Sequence, residues 1–202
     1  MPGHRPPGVL GLLAGALAAR EPSLGSVRLV AVDGHAGSGK STFAARLAVA
    51  LGGAPVLPLD LIASHTAPFD WTERLEEQVL APLRQGRTAH YAPYDWVARR
   101  RLAPVPLPAA PVVLVEGVGA GRRALRPWLA ALLWVDVPRE PSWRRGRRRD
   151  GPGLGAFWDG WTADEVAHFA DDPSYPYADL LVRQSREGYA MAPGPGGAAE
   201  PD

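Results

Sequence analysis

The tightest constraint on this chain is the octapeptide Gly34-His35-Ala36-Gly37-Ser38-Gly39-Lys40-Ser41, which has the spacing G-x-x-x-x-G-K-[ST]. A short Val-rich run, Val27 to Val32, leads into it. Thr42 to Leu51 leads out, with Phe43, Leu47, Ala50 and Leu51 at helical spacing. A strand that turns through glycines into a helix points successive backbone N–H groups at one spot, and the helix N-terminus adds partial positive charge. Such a turn holds phosphate. Lys40 is the only lysine in the chain, and every other basic residue apart from histidine is arginine. A compact ammonium on a flexible stem, which a planar guanidinium cannot replace, is what a phosphate loop needs at that place. Lys40 is expected on the β and γ phosphates and Ser41 on magnesium. The bland alternative is a glycine-rich turn of biased composition.

Length and charge narrow the class. At 202 residues and 21.5 kDa the chain fits one domain able to bury a sizeable core. Lys and Arg number 22 against 21 Asp and Glu, so a surface wholly given to nucleic acid or membrane is not expected. Cysteine is absent, which excludes disulfides, thiolate nucleophiles and Cys-based metal sites.

The ends need separate treatment. Arg5 followed by the apolar stretch Val9 to Ala19 imitates a secretory signal, but Leu10, Leu13 and Leu17 recur as on an amphipathic helix. Residues 1–26 are read as that helix and its linker packed on the domain, residues 27–183 as the domain, and 184–202 as a C-terminal segment. From Ala192 the Pro, Gly, Ala and acidic composition predicts a disordered tail. Intracellular nucleotide places the protein in the cytoplasm.

Between the ends, strands are expected at Pro55 to Leu59, Thr88 to Tyr91, Val112 to Val115, Leu132 to Val137 and Asp179 to Val182. Helices are expected at Trp71 to Leu83, Arg123 to Ala130, Ser142 to Arg149 and Trp161 to Phe169. Leu102 to Leu107 is too proline-rich for a central strand. This alternation predicts an α/β fold with a mostly parallel sheet and helices on both faces. In such a sheet ligands gather at the carboxyl ends of strands. Asp60 and Glu116 both follow strands there, facing the phosphate loop, where a metal-side carboxylate and a base are wanted. Each has an ordinary alternative as a helix cap.

In order along the chain, Pro58-Leu59-Asp60, Pro93-Tyr94-Asp95-Trp96 with Arg101, Val115-Glu116-Gly117, Arg144-Arg145 through Arg149-Asp150, and Tyr177-Ala178-Asp179-Leu180 resemble motifs of the uridine kinase and phosphoribulokinase group of P-loop kinases. The resemblance covers Val27 to about Val182. It implies a three-layer P-loop NTPase fold with an Arg-rich lid helix, and transfer of the γ-phosphoryl of Mg·ATP to a hydroxyl of a small nucleoside-like acceptor. It further implies ATP contacts at Gly34, Ala36, Gly37, Ser38, Gly39, Lys40, Ser41, Thr42, Arg145 and Arg149. Lys40 and Asp60 would be catalytic, Asp60 as the base. Ser41, Asp60 and Glu116 would hold magnesium, and Asp70, Tyr94, Trp96 and Arg101 would meet the acceptor. Neither nucleic acid nor membrane is implied as a partner, and the oligomeric state stays open.

Departures fall on the acceptor side and the lid. Leu61-Ile62-Ala63 follows Asp60 where that group has an aromatic pair, Arg99 stands where it has a histidine, and Ser142 where it has the first lid arginine. Asp70 binds a ribose hydroxyl or caps the next helix. The arginines from Arg144 to Arg149 form a lid, a solvated helix face or a nucleic-acid patch. His35 caps backbone or faces solvent, and His65, His90 and His168 share no metal-ligand spacing. Trp158 and Trp161 are read as flanking a glycine-containing turn and anchoring the last helix. The rival reading of the chain is a nucleotide-binding regulatory module, or weak ATPase, with no small-molecule acceptor.

Overall fold

The computed structural model describes residues 8–185 and 188–198. Helix α1, Val9–Ala18, precedes strand β1, Arg28–Asp33, and α2, Lys40–Ala50, follows the glycine loop. Then come β2, Val56–Pro58, a 3-10 turn Leu59–Leu61, and a broken helix made of α3, Thr72–Leu75, a π-helical turn Glu76–Leu80 and α4, Ala81–Arg84. Two short antiparallel pairs follow: β3, Ala89–Tyr91, with β6, Val105–Leu107, and β4, Tyr94–Asp95, with β5, Arg100–Arg101. The chain continues through β7, Val112–Glu116, β8, Leu129–Val135, helices α5, Arg139–Asp150, and α6, Gly155–Asp171, and strands β9, Leu180–Ser185, and β10, Gly188–Pro193.

The main sheet has the order β10-β9-β8-β1-β7-β2, parallel throughout except for β10 against β9. Its central strands are buried on both faces, which explains why β1 and β7 read as continuous apolar runs. Alternate residues feed two cores. Leu29, Ala31, Val113 and Val115 pack with Leu75, Val79 and Leu83 on one face, while Val30, Val32 and Leu114 pack with Phe43, Leu47, Leu13 and Leu17 on the other. Helices α1 and α2 thus cover one side, and the broken helix 72–84 the other. The π-helical turn has a local cause. Ala81 donates its N–H to Glu76, five residues back, and Pro82 has no N–H to offer.

Four expectations are corrected. Residues 192–198 are not a disordered tail: β10 pairs as far as Pro193 with Leu180, and a 3-10 turn Pro195–Ala198 follows, with Gly194 and Gly196 bonded to Asp179 and Ala178. Small residues that look featureless in sequence are what the close approach there demands. A Cβ on Gly194 or Gly196 would meet Ala178 or Tyr177 backbone at 2.1 and 2.6 Å. Residues 199–202, also expected in the tail, lie outside the described residues. The helix expected over Arg123 to Ala130 is only a 3-10 turn, Arg126–Trp128, because Leu129 and Ala130 already belong to β8. Helix α6 starts six residues before Trp161. Gly160 therefore lies inside the helix, and no turn separates Trp158 from Trp161. Finally, Asp70 caps nothing: Trp71 occupies the N-cap position and makes no side-chain cap bond.

Helices α5 and α6 meet at Gly146, where an added Cβ would stand 2.2 Å from the buried Trp158 ring. At Gly160 it would meet nothing within 4 Å. Gly146→Ala is expected to destabilise the fold by about 1–3 kcal/mol through overpacking. Gly160→Ala should stabilise it by about 0.5–1 kcal/mol through helix propensity. Urea unfolding of the two variants checks both signs.

Candidate active site

The glycine loop joins β1 to α2, and a buried acid fixes where it starts. Asp33 is fully buried and accepts N–H bonds from Gly34 at 2.7 Å, Gly119 at 3.0 Å and Gly121 at 2.8 Å. The phosphate loop and the loop after β7 are thereby locked together. Gly37 takes φ +79°, and a Cβ there would collide with the Ser142 carbonyl, so the loop touches helix α5 directly. Lys40 is nearly buried and donates to the Gly34 and His35 carbonyls at 2.9 and 3.0 Å, folding its ammonium back over the loop.

A cavity of about 570 Å3 opens in front of this loop. Of the residues singled out from sequence, Ala36, Gly37, Gly39, Lys40, Ser41, Thr42, Asp60, Trp96, Glu116, Arg145 and Arg149 line it. Gly34 and Ser38 stand behind, the latter with a buried, unpartnered hydroxyl. Glu116 ends β7 and is buried beside Ser41 in the cavity lining. Burial raises its pKa above the usual carboxylate value, Lys40 lowers it, and Asp60 raises it again, so the acids share one field. Asp60 sits on the 3-10 turn after β2. It is open to the water of the cavity but walled by protein, and that enclosure raises its pKa against the opposing pull of Lys40 and Arg149.

The arginine helix divides by face. Arg145 donates from Nε to the Gly37 carbonyl at 2.7 Å and from Nη1 to Gln184 at 3.3 Å. Arg149 forms a two-point pair with Asp150. Arg147 turns away to Asp159 at 2.9 Å. Arg144 and Arg148 are exposed and line no part of the cavity.

Three other residues of the acceptor set stand off the cavity. Arg101 donates to the carbonyls of Leu61, Ile62 and Ala92 and lies over the Tyr94 ring. Tyr94 engages His65 Nδ1 through its hydroxyl at 3.0 Å. Asp70 is exposed at the surface. In place of polar groups, His65, Phe157 and Trp161 join Trp96 at this end.

Sequence reasoning missed Glu165. It is fully buried on α6, and its carboxylate accepts from Ala36 N–H at 3.0 Å and Trp143 Nε1 at 3.1 Å and meets His35 Nδ1 at 2.7 Å. It thus joins the glycine loop, α5 and α6. The only signal for it in the sequence is an acid within an amphipathic pattern, which reads as surface. Arg122 escaped notice likewise. It is buried over Trp71, bonds to Phe69 and Thr72, and its pKa falls to about 10 through loss of hydration. Among the described residues no group of three or more His, Asp or Glu side chains is placed to hold a metal ion by itself.

No protein-family model matches the chain, and no curated protein does. Solved structures do. A possible uridine kinase from Bacillus stearothermophilus superimposes with a TM-score of 0.63 at 19% identity, covering 85% of this chain and 96% of that one. A candidate fructose transport system kinase from Silicibacter sp. gives 0.55 at 22% identity, over 83% and 91%.

Removing the Glu165 carboxylate leaves two half-buried N–H donors, of Ala36 and Trp143, without that partner. Glu165→Ala is expected to lower unfolding stability by about 1–3 kcal/mol and to shift Trp143 emission to the red. Denaturation followed by fluorescence, with Trp143→Phe as reference, measures both. The sheet order, the glycine loop and these superpositions together give the chain a uridine kinase-like P-loop kinase fold.

Proposed function

We propose that the protein is a phosphotransferase that moves the γ-phosphoryl of Mg·ATP to a hydroxyl of a small, nucleoside-like acceptor. The observation that carries this reading is the convergence of Lys40, Ser41, Glu116 and Asp60 on one wall of a cavity that continues past the phosphate loop into a second, ring-lined end. The kinase fold of the superimposed structures supports the same reading.

The donor set suits magnesium. A hydroxyl and one or two carboxylates cannot cage the ion, but with phosphate oxygens and water they complete the shell that magnesium prefers. Ser41, Glu116 and Asp60 would hold it, and there it would supply positive charge against the phosphate oxygens. Lys40 leaves the Gly34 and His35 carbonyls to meet the β and γ oxygens. Arg145, fixed between Gly37 and Gln184, and Arg149 close over the phosphates from the lid. Loop amides from Gly37 to Thr42 supply the rest of the anion site.

Asp60 accepts the proton of the acceptor hydroxyl. The freed oxygen bonds to the γ-phosphorus as the bond to the β–γ bridging oxygen breaks, and ADP leaves. A carboxylate with a pKa raised by enclosure is a better base near neutral pH than a fully hydrated one. Such a reaction uses cytoplasmic ATP, and we place the protein there. Among the described residues no helix is long and apolar enough to cross a membrane.

Asp60→Asn is expected to cut acceptor-dependent ADP release on the order of 10²-fold while ATP affinity stays within a few fold. Lys40→Ala should abolish the calorimetric heat of Mg·ATP binding. An ADP-release assay over nucleosides, sugars and vitamins tests the reaction itself. A flat, low rate across the panel rejects it in favour of an acceptor-free ATPase.

A further inference from the structure

A second cavity, of about 330 Å3, lies beside the glycine loop and shares no lining residue with the first. It is framed by His35 of the loop, by the end of β8 with the residues after it, and by Phe169 and the turn that follows α6. Four rings stand around it. Trp134 meets His35 at 5.4 Å and 84°, Phe169 at 5.5 Å and 68° and Tyr175 at 5.7 Å and 80°, measured between ring centroids and planes. Trp134 is buried while Tyr175 is 42% exposed, so the rings run from the core out to the surface. Ring faces carry negative charge density and attract a compact cation.

The charge of the lining points the same way. Asp136 is its only Asp, Glu, Lys or Arg. The Oδ2 atom of Asp136 accepts from Arg183 Nε at 2.7 Å, in a pair whose side chains are 26% and 58% exposed, while Oδ1 takes no hydrogen bond from a described residue. An exposed pair of this kind holds little, so Asp136 is able to take a second partner. Ser174 also lines the cavity, wholly buried, with a hydroxyl that has no partner among the described residues. Pro138 and Pro173 have no N–H to offer an anion. A carboxylate or phosphate would therefore shed water beside Asp136 with no Lys or Arg in the lining to receive it. A protonated amine meets the opposite: ring faces, a carboxylate and a hydroxyl.

His35 connects this cavity to the loop. Its Nδ1 lies 2.7 Å from the buried Glu165 carboxylate, whose other oxygen takes the Ala36 N–H at 3.0 Å, and Ala36 lines the first cavity. What presses on His35 therefore bears on the loop through one acid. We propose that the second cavity binds a small organic cation, a protonated amine carried on an aromatic or apolar body, and that its occupancy changes nucleotide affinity at the glycine loop. The site and its ligand class stand apart from the kinase reading above, and the effect on the loop rests on that reading.

The test is calorimetry on the full chain with three probes of one shape: phenethylamine, 2-phenylethanol and 3-phenylpropanoate. Phenethylamine is expected to bind at least tenfold more tightly than the alcohol, and the acid to give no heat. Asp136→Asn should weaken the amine at least tenfold. Arg183→Gln, which frees Asp136, should tighten it at least twofold, and Asp60→Asn, in the first cavity, should leave it within twofold. With phenethylamine saturating, the dissociation constant of Mg·ATP should change at least threefold, and the reverse titration should return the same factor. Alcohol or acid binding as tightly as the amine overturns the ligand class. The site is overturned by an amine that gives no heat, that binds Asp136→Asn unchanged, that binds Arg183→Gln more weakly, or that is lost from Asp60→Asn. An unchanged Mg·ATP constant beside a bound amine overturns the link to the loop. If Mg·ATP alone gives no heat, the kinase reading falls and the link with it, while the amine titrations still decide the site.

Discussion

The buried carboxylate of Asp33 holds the site together. Three amide N–H bonds satisfy it, from the first glycine of the phosphate loop and from two glycines after β7. A carboxyl group with no exposure is costly unless its oxygens accept hydrogen bonds, and here those bonds tie both loops to the end of β1. The loop from Gly117 to Gly121 then positions Arg122, and Arg122 holds Phe69 and Thr72 at the head of the helix that closes one face. The glycine loop and the head of the broken helix are therefore tied into one frame through Arg122.

Much of the phosphate side was legible in the sequence. A motif carried by consecutive residues reports local geometry, and β1, the loop and α2 are local. Asp60 and Glu116 were legible for a related reason: the carboxyl ends of parallel strands meet at one edge, so strand boundaries alone place them. Glu165, Arg122 and the ring wall were not. Each depends on contact between segments far apart in the chain, as His65 with Phe157 or Ala36 with Glu165. Tyr94 and Arg101 show the converse. Their types fit an acceptor site, but each completes a backbone or side-chain bond that only the folded loop creates.

The two ends of the cavity follow different physics. At the glycine-loop end Lys40, Arg145, Asp60 and Glu116 bring full charges together, and their interactions strengthen where water is excluded. At the other end the rings provide shape and contact area with little polarity. Trp96 joins the two, because its indole nitrogen bonds the backbone of Asp60 while its ring belongs to the wall. Helix α5 is tied to both as well. Arg145 reaches the loop, and Asp150, at the end of the same helix, receives the indole N–H of Trp158 from α6.

The edges of the main sheet have a consequence for association. At one side β2 is three residues long, bracketed by Pro55 and Pro58. At the other β10 ends at Pro193 and is flanked by α1. Proline has no N–H to lend an incoming strand, and a short or covered border gives a foreign chain little to extend. Lateral extension of the main sheet is thereby disfavoured at its β2 border and at the Pro193 end of β10.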